Sequence, residues 1–157
     1  MLAGAVSAGA WPSCAPIPAL FPERGPFLSA IARARSAPGS AAVTAPLTAL
    51  VVPHHLLAAD LIARGFALAA AQRPRRIILI GPDHFRYGRT PFAVCLRDLE
   101  TCLGPVPVDL TAAARLLAAP GASSSSLFSH DHAFQAVAPF LAHHFPGVPV
   151  LAVAVRG

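Results

Sequence analysis

Residues 47–85 read LTALVVPHHLLAADLIARGFALAAAQRPRRIILIGPDHF, and this stretch decides the fold. Leu47–Val52 is a short apolar run with β-branched residues, stopped by Pro53, which predicts a buried strand. Leu56–Gln72 sets Leu57, Leu61, Phe66 and Ala69 or Ala70 at helical spacing, and Arg73-Pro74 ends that helix. Ile77–Ile80 predicts a second buried strand, stopped by Gly81-Pro82. Strand, helix and strand in so short a span make a βαβ unit, hence a parallel pair with a right-handed crossover. Unbroken apolar strands fit a sheet covered on both faces. The fold class is α/β, a parallel or mixed sheet flanked by helices.

Outward from that unit, the pattern predicts a strand over Phe92–Leu96 and a helix over Thr111–Ala119, with Asp109 near its start. Ser123–Ser126 reads as a loop. A helix follows over His132–Phe145, interrupted early by Pro139, and then a final strand over Val148–Val155. Upstream, residues 1–46 are proline-rich, with a short helical possibility around Pro26–Ala34. They read as an extended arm, so the chain divides into an arm (1–46) and a domain (47–157).

With 157 residues, 55% hydrophobic and 12% charged, the chain has the size of one domain and is too apolar to be disordered. Its basic residues are all arginine, scattered apart from Arg73, Arg75 and Arg76, and the single Trp11 and Tyr87 lie away from that cluster. Nucleic-acid binding is therefore not expected. Nor is a membrane span, because the long uncharged stretches 36–59 and 132–155 carry prolines and histidines. No basic residue precedes the apolar start, so the expected compartment is the cytoplasm. Export is the alternative if a signal sequence lies upstream of Met1. Cys14, Cys95 and Cys102 form no CxxC pair. The last two read as small buried apolar residues, with metal ligation the lesser reading.

The chemistry is concentrated in histidines. His54 and His55 follow the first expected strand and His84 follows the second, so both strands deliver imidazoles to the carboxyl edge of the sheet, where α/β folds bind ligands. Asp83 and Tyr87 share the loop of His84, and Asp131 adjoins His132 at a helix start. Imidazole with carboxylate suits a divalent transition metal such as iron, zinc or copper, with open positions for oxygen, water or substrate. His143-His144 falls in a last helical turn, where cations complement the helix dipole. Dinucleotide, P-loop, zincin and hydrolase-elbow motifs are absent.

Four segments in order resemble the Memo family, whose prokaryotic members are called AmmeMemoRadiSam system protein B. They are VVPHH (51–55), IILIGPDHF (77–85), ETCLGPVPVD (100–109) and HAFQAVAPFLAHHFPGVPVLAVAV (132–155). The resemblance implies a fold similar to LigB-type class III extradiol dioxygenases, with His54 and His84 as metal ligands. It makes His132 a third cleft histidine for acid/base work or substrate contact. His55, Asp83, Tyr87 and Asp131 are further cleft candidates from their places at the strand ends and the helix start, although many relatives have a small residue in place of His55. The implied cofactor is a divalent transition metal, iron or copper ahead of zinc. Gln135 stands where the family has Glu, Cys102 where it has Pro, and a later family cysteine ligand lies past Gly157. The resemblance thus covers little more than the first half of the family domain, which leads us to expect self-association through an uncovered edge. Two functions follow: a metal-dependent, dioxygenase-like redox enzyme, or a non-catalytic protein- or peptide-binding module. AMMECR1-type or radical-SAM proteins are the partners that the resemblance implies.

Overall fold

A computed structural model describes residues 15–36 and 46–157. Its helices are α1 (Arg24–Ser36), α2 (Ala59–Ala70, led by a 3-10 turn over Leu56–Ala58), α3 (Leu110–Leu117), α4 (His132–Gln135) and α5 (Ala138–His144). Its strands are β1 (Ile77–Pro82), β2 (Phe92–Val94), β3 (Ala122–Ser124) and β4 (Val150–Val155). They form one sheet in the order β1-β4-β2-β3, mixed because β2 runs antiparallel to β4 while β1–β4 and β2–β3 are parallel. The expected α/β class, a mixed sheet flanked by helices, is what the chain adopts.

β4 reads VLAVAV because both of its faces are covered. Leu151 and Val153 pack with Val94 and Ala113 of α3, whereas Val150, Ala152 and Ala154 join the main core. That core is aromatic. Phe140 packs edge-on to Phe27 at 5.4 Å and lies stacked with Phe66 at 6.4 Å, joining α5 to α1 and α2. The region read as an arm thus supplies core. Phe27, Ala30, Ile31 and Ala34 are buried on α1, and Ile17 bridges to Leu99. A fork from Arg33 to Asp60 at 2.7 and 2.9 Å crosses the exposed rim between α1 and α2.

Three expectations need correction. First, residues 47–52 join no ladder, so the parallel partner of β1 is β4, not this segment. The apolar side chains lean on the helix instead: Val52 Cγ1 lies 2.7 Å and Leu50 Cδ2 3.3 Å from where a Cβ on Gly65 would stand. The Leu47 amide donates to Gln72 Oε1 at 3.3 Å. A methyl at Gly65 would displace the segment. Second, the interruption expected at Pro139 falls just before it, at Ala136-Val137: α4 ends there, and Pro139 sits in the first turn of α5, where a missing N–H costs nothing. Third, Ser123 and Ser124 pair with β2.

Gln135 also acquires a plain role. It is 2% exposed, its Nε2 donates to Phe128 O at 2.8 Å, and its Oε1 accepts from Leu20 N at 3.3 Å. A carboxylate there would strand the Phe128 carbonyl and bury a charge. Gln135→Glu should therefore cost about 2–3 kcal/mol, read as a lower melting temperature at pH 7.

Candidate metal centre

β1 ends at Pro82, and the next residue anchors the loop that carries the site. The Asp83 amide donates to Val155 O at 2.9 Å. Its buried carboxylate accepts from the amides of Tyr87 (3.0 Å) and Gly88 (2.7 Å). A Cβ at Gly88 would sit 3.0 Å from Asp83 Oδ2, so that the carboxylate would have to give by a few tenths of an ångström. Asp83, a cleft candidate by sequence, thus spends both oxygens on its own loop. That loop holds His84 over the N-terminus of α4.

His84 is fixed by Asp131, which is fully buried. Asp131 Oδ1 accepts from His84 Nδ1 at 2.8 Å and from the Ala133 amide at 2.9 Å, and Oδ2 accepts from the His84 amide at 3.0 Å. Burial alone would raise the Asp131 carboxyl, but the bonds from His84 and Ala133 outweigh it and hold the group below its ordinary range. The anion sets the tautomer: Nδ1 of His84 keeps its proton, and Nε2 is left facing outward with a lone pair.

Two more imidazoles meet that nitrogen. His54 Nε2 lies 3.1 Å from His84 Nε2, with ring centroids 4.9 Å apart. The ring of His132 stacks on that of His84 at 4.3 Å and stands 5.6 Å from that of His54. One nitrogen from each of the three lies within 4.8 Å of the others, an arrangement that can hold a metal ion. Burial first, then the neighbouring His84 and His132, push the His54 pKa down, favouring the neutral ring that a metal needs.

His55 stands at the rim. Its Nδ1 accepts from the Leu57 amide at 3.4 Å, capping the turn into α2, and its ring is 6.1 Å from that of His132. Tyr87 is exposed and stacks with Phe85 at 5.7 Å. Of the residues singled out by sequence, the structure brings His54, His84 and Asp131 together. His132, expected to do acid/base work or contact substrate, lies in the same cluster. The available signal was Asp131-His132 at a helix start, where an aspartate at the N-cap turns its carboxylate onto a first-turn amide. Cys95 is elsewhere. Its thiol donates to Arg97 O, and burial pushes its pKa up to about 11.

Away from the site, His143 and His144 do close α5, as the sequence implied. The dipole reading fails for His144, however. Burial, then His143 and Arg35, push its pKa down to about 4, and its ring lies parallel to Phe66 at 6.5 Å. With a folded pKa below the unfolded one, the unfolded chain binds more protons, and stability falls as pH drops from about 6.5 toward 4. The ring is partly solvent-reached, so the loss is held to ~1–2 kcal/mol. Acid melts of the chain and His144→Phe should show it, the variant losing less stability between these limits.

Among the described residues, no helix is long and apolar enough to cross a membrane. A family model described as Memo-like protein matches residues 26–156. No curated protein matches the chain. The chain belongs to the Memo-like protein family.

Proposed function

We propose that this Memo-like chain binds a divalent transition metal through His54, His84 and His132 and uses it for redox chemistry of the dioxygenase type. The observation that carries the reading is the 3.1 Å approach of His54 Nε2 to His84 Nε2, with the latter oriented by a buried carboxylate. Two nitrogens each ~2.1 Å from one ion stand roughly 3.0–3.4 Å apart, so the pair is already near ligand spacing. A carboxylate behind a ligating imidazole is the usual second layer of such sites.

The donor set suits iron, copper and zinc alike, and the redox reading favours the first two. When bound, the metal supplies a Lewis acid with open positions for small ligands. The residues of the chain do the remaining work. Asp131 holds the His84 Nδ1 proton and keeps Nε2 free. With His132 in the cluster, His55 is the imidazole left to carry protons at the rim, its Nε2 unengaged by the cap. Phe85, its ring 6.3 Å from that of His84, and Tyr87 stacked on it stand exposed beside the cluster.

The test is anaerobic loading with Fe(II) followed by nitric oxide. A half-integer-spin EPR signal that disappears in His84→Ala supports a redox-capable site with open positions. A chain that takes up zinc but gives no signal with Fe(II) contradicts the redox half of the reading.

A further inference from the structure

All seven acidic residues of the chain fall among the described residues, so its charges can be paired off. Asp60 pairs with Arg33, Asp109 with Arg76, and Asp131 with His84. Asp83 is buried and turned onto the amides of Tyr87 and Gly88. Glu23 lies just before α1, and Asp98 and Glu100 lie on either side of Leu99. Arg86, Arg89 and Arg156 are exposed and, among the described residues, have no carboxylate partner.

The backbone gathers these three arginines at the end of the sheet that carries the histidines. The loop from Asp83 to Pro91 joins β1 to β2, and Arg156 sits between its two ends. The Asp83 amide donates to Val155 O at 2.9 Å, and the Arg156 amide donates to Pro91 O at 3.0 Å. Alternation along β4 puts Arg156 on the face of Ala154. Ala154 pairs with Gly81, where a Cβ would meet Phe134 and Ala133 at 3.1 and 3.4 Å, so this face lies under α4, whose first residue is His132. Arg86 follows Phe85, whose ring is 6.3 Å from that of His84. Its φ is +55°, a left-handed conformation uncommon outside glycine. Asp83 enforces it, binding the amides of Tyr87 and Gly88 through its carboxylate and that of Arg86 through its carbonyl. Strain held in place by its surroundings in this way is a mark of functional loops.

A cationic rim without counter-charge, with Phe85 and Tyr87 exposed in it, suits a ligand that has a negative head and an apolar body. We propose that the histidine site takes an organic anion, a carboxylate or phosphate-type oxyanion on an apolar body. Arg86 and Arg156 hold the oxyanion, Arg89 adds attraction at longer range, and Phe85 and Tyr87 contact the body. This rests on the metal-site reading above for the end of the ligand that reacts. The planar fork of a guanidinium matches either oxyanion. A metal at the histidines would add positive charge to the same edge, so that anions are drawn in and cations turned away.

Binding of benzoate, phenylphosphonate and neutral benzamide to the full chain, with and without Zn2+ as a redox-inert probe, tests this. In the Zn2+ form the better of the two anions should bind at least ~10-fold more tightly than benzamide, and added salt should shrink the difference. The order of benzoate and phenylphosphonate tells a carboxylate head from a phosphate one. Arg86→Gln/Arg156→Gln changes two exposed side chains, so it should still fold and bind Zn2+ while losing the preference for the anions. A preference that survives in this variant, or none in the unaltered chain, overturns the anion site and leaves the metal site standing. An arginine-dependent preference in a chain that takes up no Zn2+ keeps the anion site and removes the metal reading alone.

Discussion

In a Co2+ titration of the full chain, His54→Ala, His84→Ala and His132→Ala should each weaken binding by more than ~100-fold, because each removes a direct donor where even an outer-layer loss costs about 10–100-fold. His55→Ala should bind Co2+ as the unaltered chain does, since that ring caps a turn and lies outside the cluster of ligand atoms. The expectation rests on distance: one nitrogen from each of the three rings lies within 4.8 Å of the others. His132 is the informative position. If its loss leaves Co2+ affinity unchanged, the ring belongs to proton transfer or substrate contact, as the family resemblance implied.

Asp131→Asn should lower metal affinity by ~10–100-fold while leaving all three imidazoles in place. The carboxylate accepts three bonds, two of them from His84. An amide keeps one acceptor oxygen but turns an N–H toward one of the three donors, and it removes the charge that holds the Nδ1 proton of His84. His84 then loses both its tautomer and its aim. The group is fully buried, so the same change should also destabilise the chain by about 1–3 kcal/mol. A denaturation curve separates the two effects. A variant that unfolds earlier yet binds Co2+ with full affinity would make Asp131 a helix cap and nothing more.

The parts legible in the sequence were those fixed by local pattern. The periodicity of 56–72, the apolar runs at 77–80 and 148–155, and the punctuation by Pro82, Pro120-Gly121 and Pro146-Gly147 all act within a few residues of the elements they define. The reading of 47–52 failed because strand pairing is a competition between surfaces. Composition cannot show that Gly65 opens a slot on α2 which Val52 and Leu50 fill. Pairing β1 with β4 instead joins residues some 70 positions apart, beyond any local signal.

The site followed the same division. His54 and His84 stood out because each follows an apolar run closed by proline. Asp83 looked equivalent to Asp131, both being acidic neighbours of a histidine. Only the fold shows that Asp83 turns back onto the amides of Tyr87 and Gly88 while Asp131 turns toward His84. Gln135 looked like a lost carboxylate and is a staple between Leu20 and Phe128.

The most direct measurement is the metal content of the chain purified without air, beside its His54→Ala/His84→Ala double variant. The account predicts near one iron or copper per chain and none in the variant. Equal metal in both, or none in either after incubation with Fe(II) and Cu2+, would contradict it.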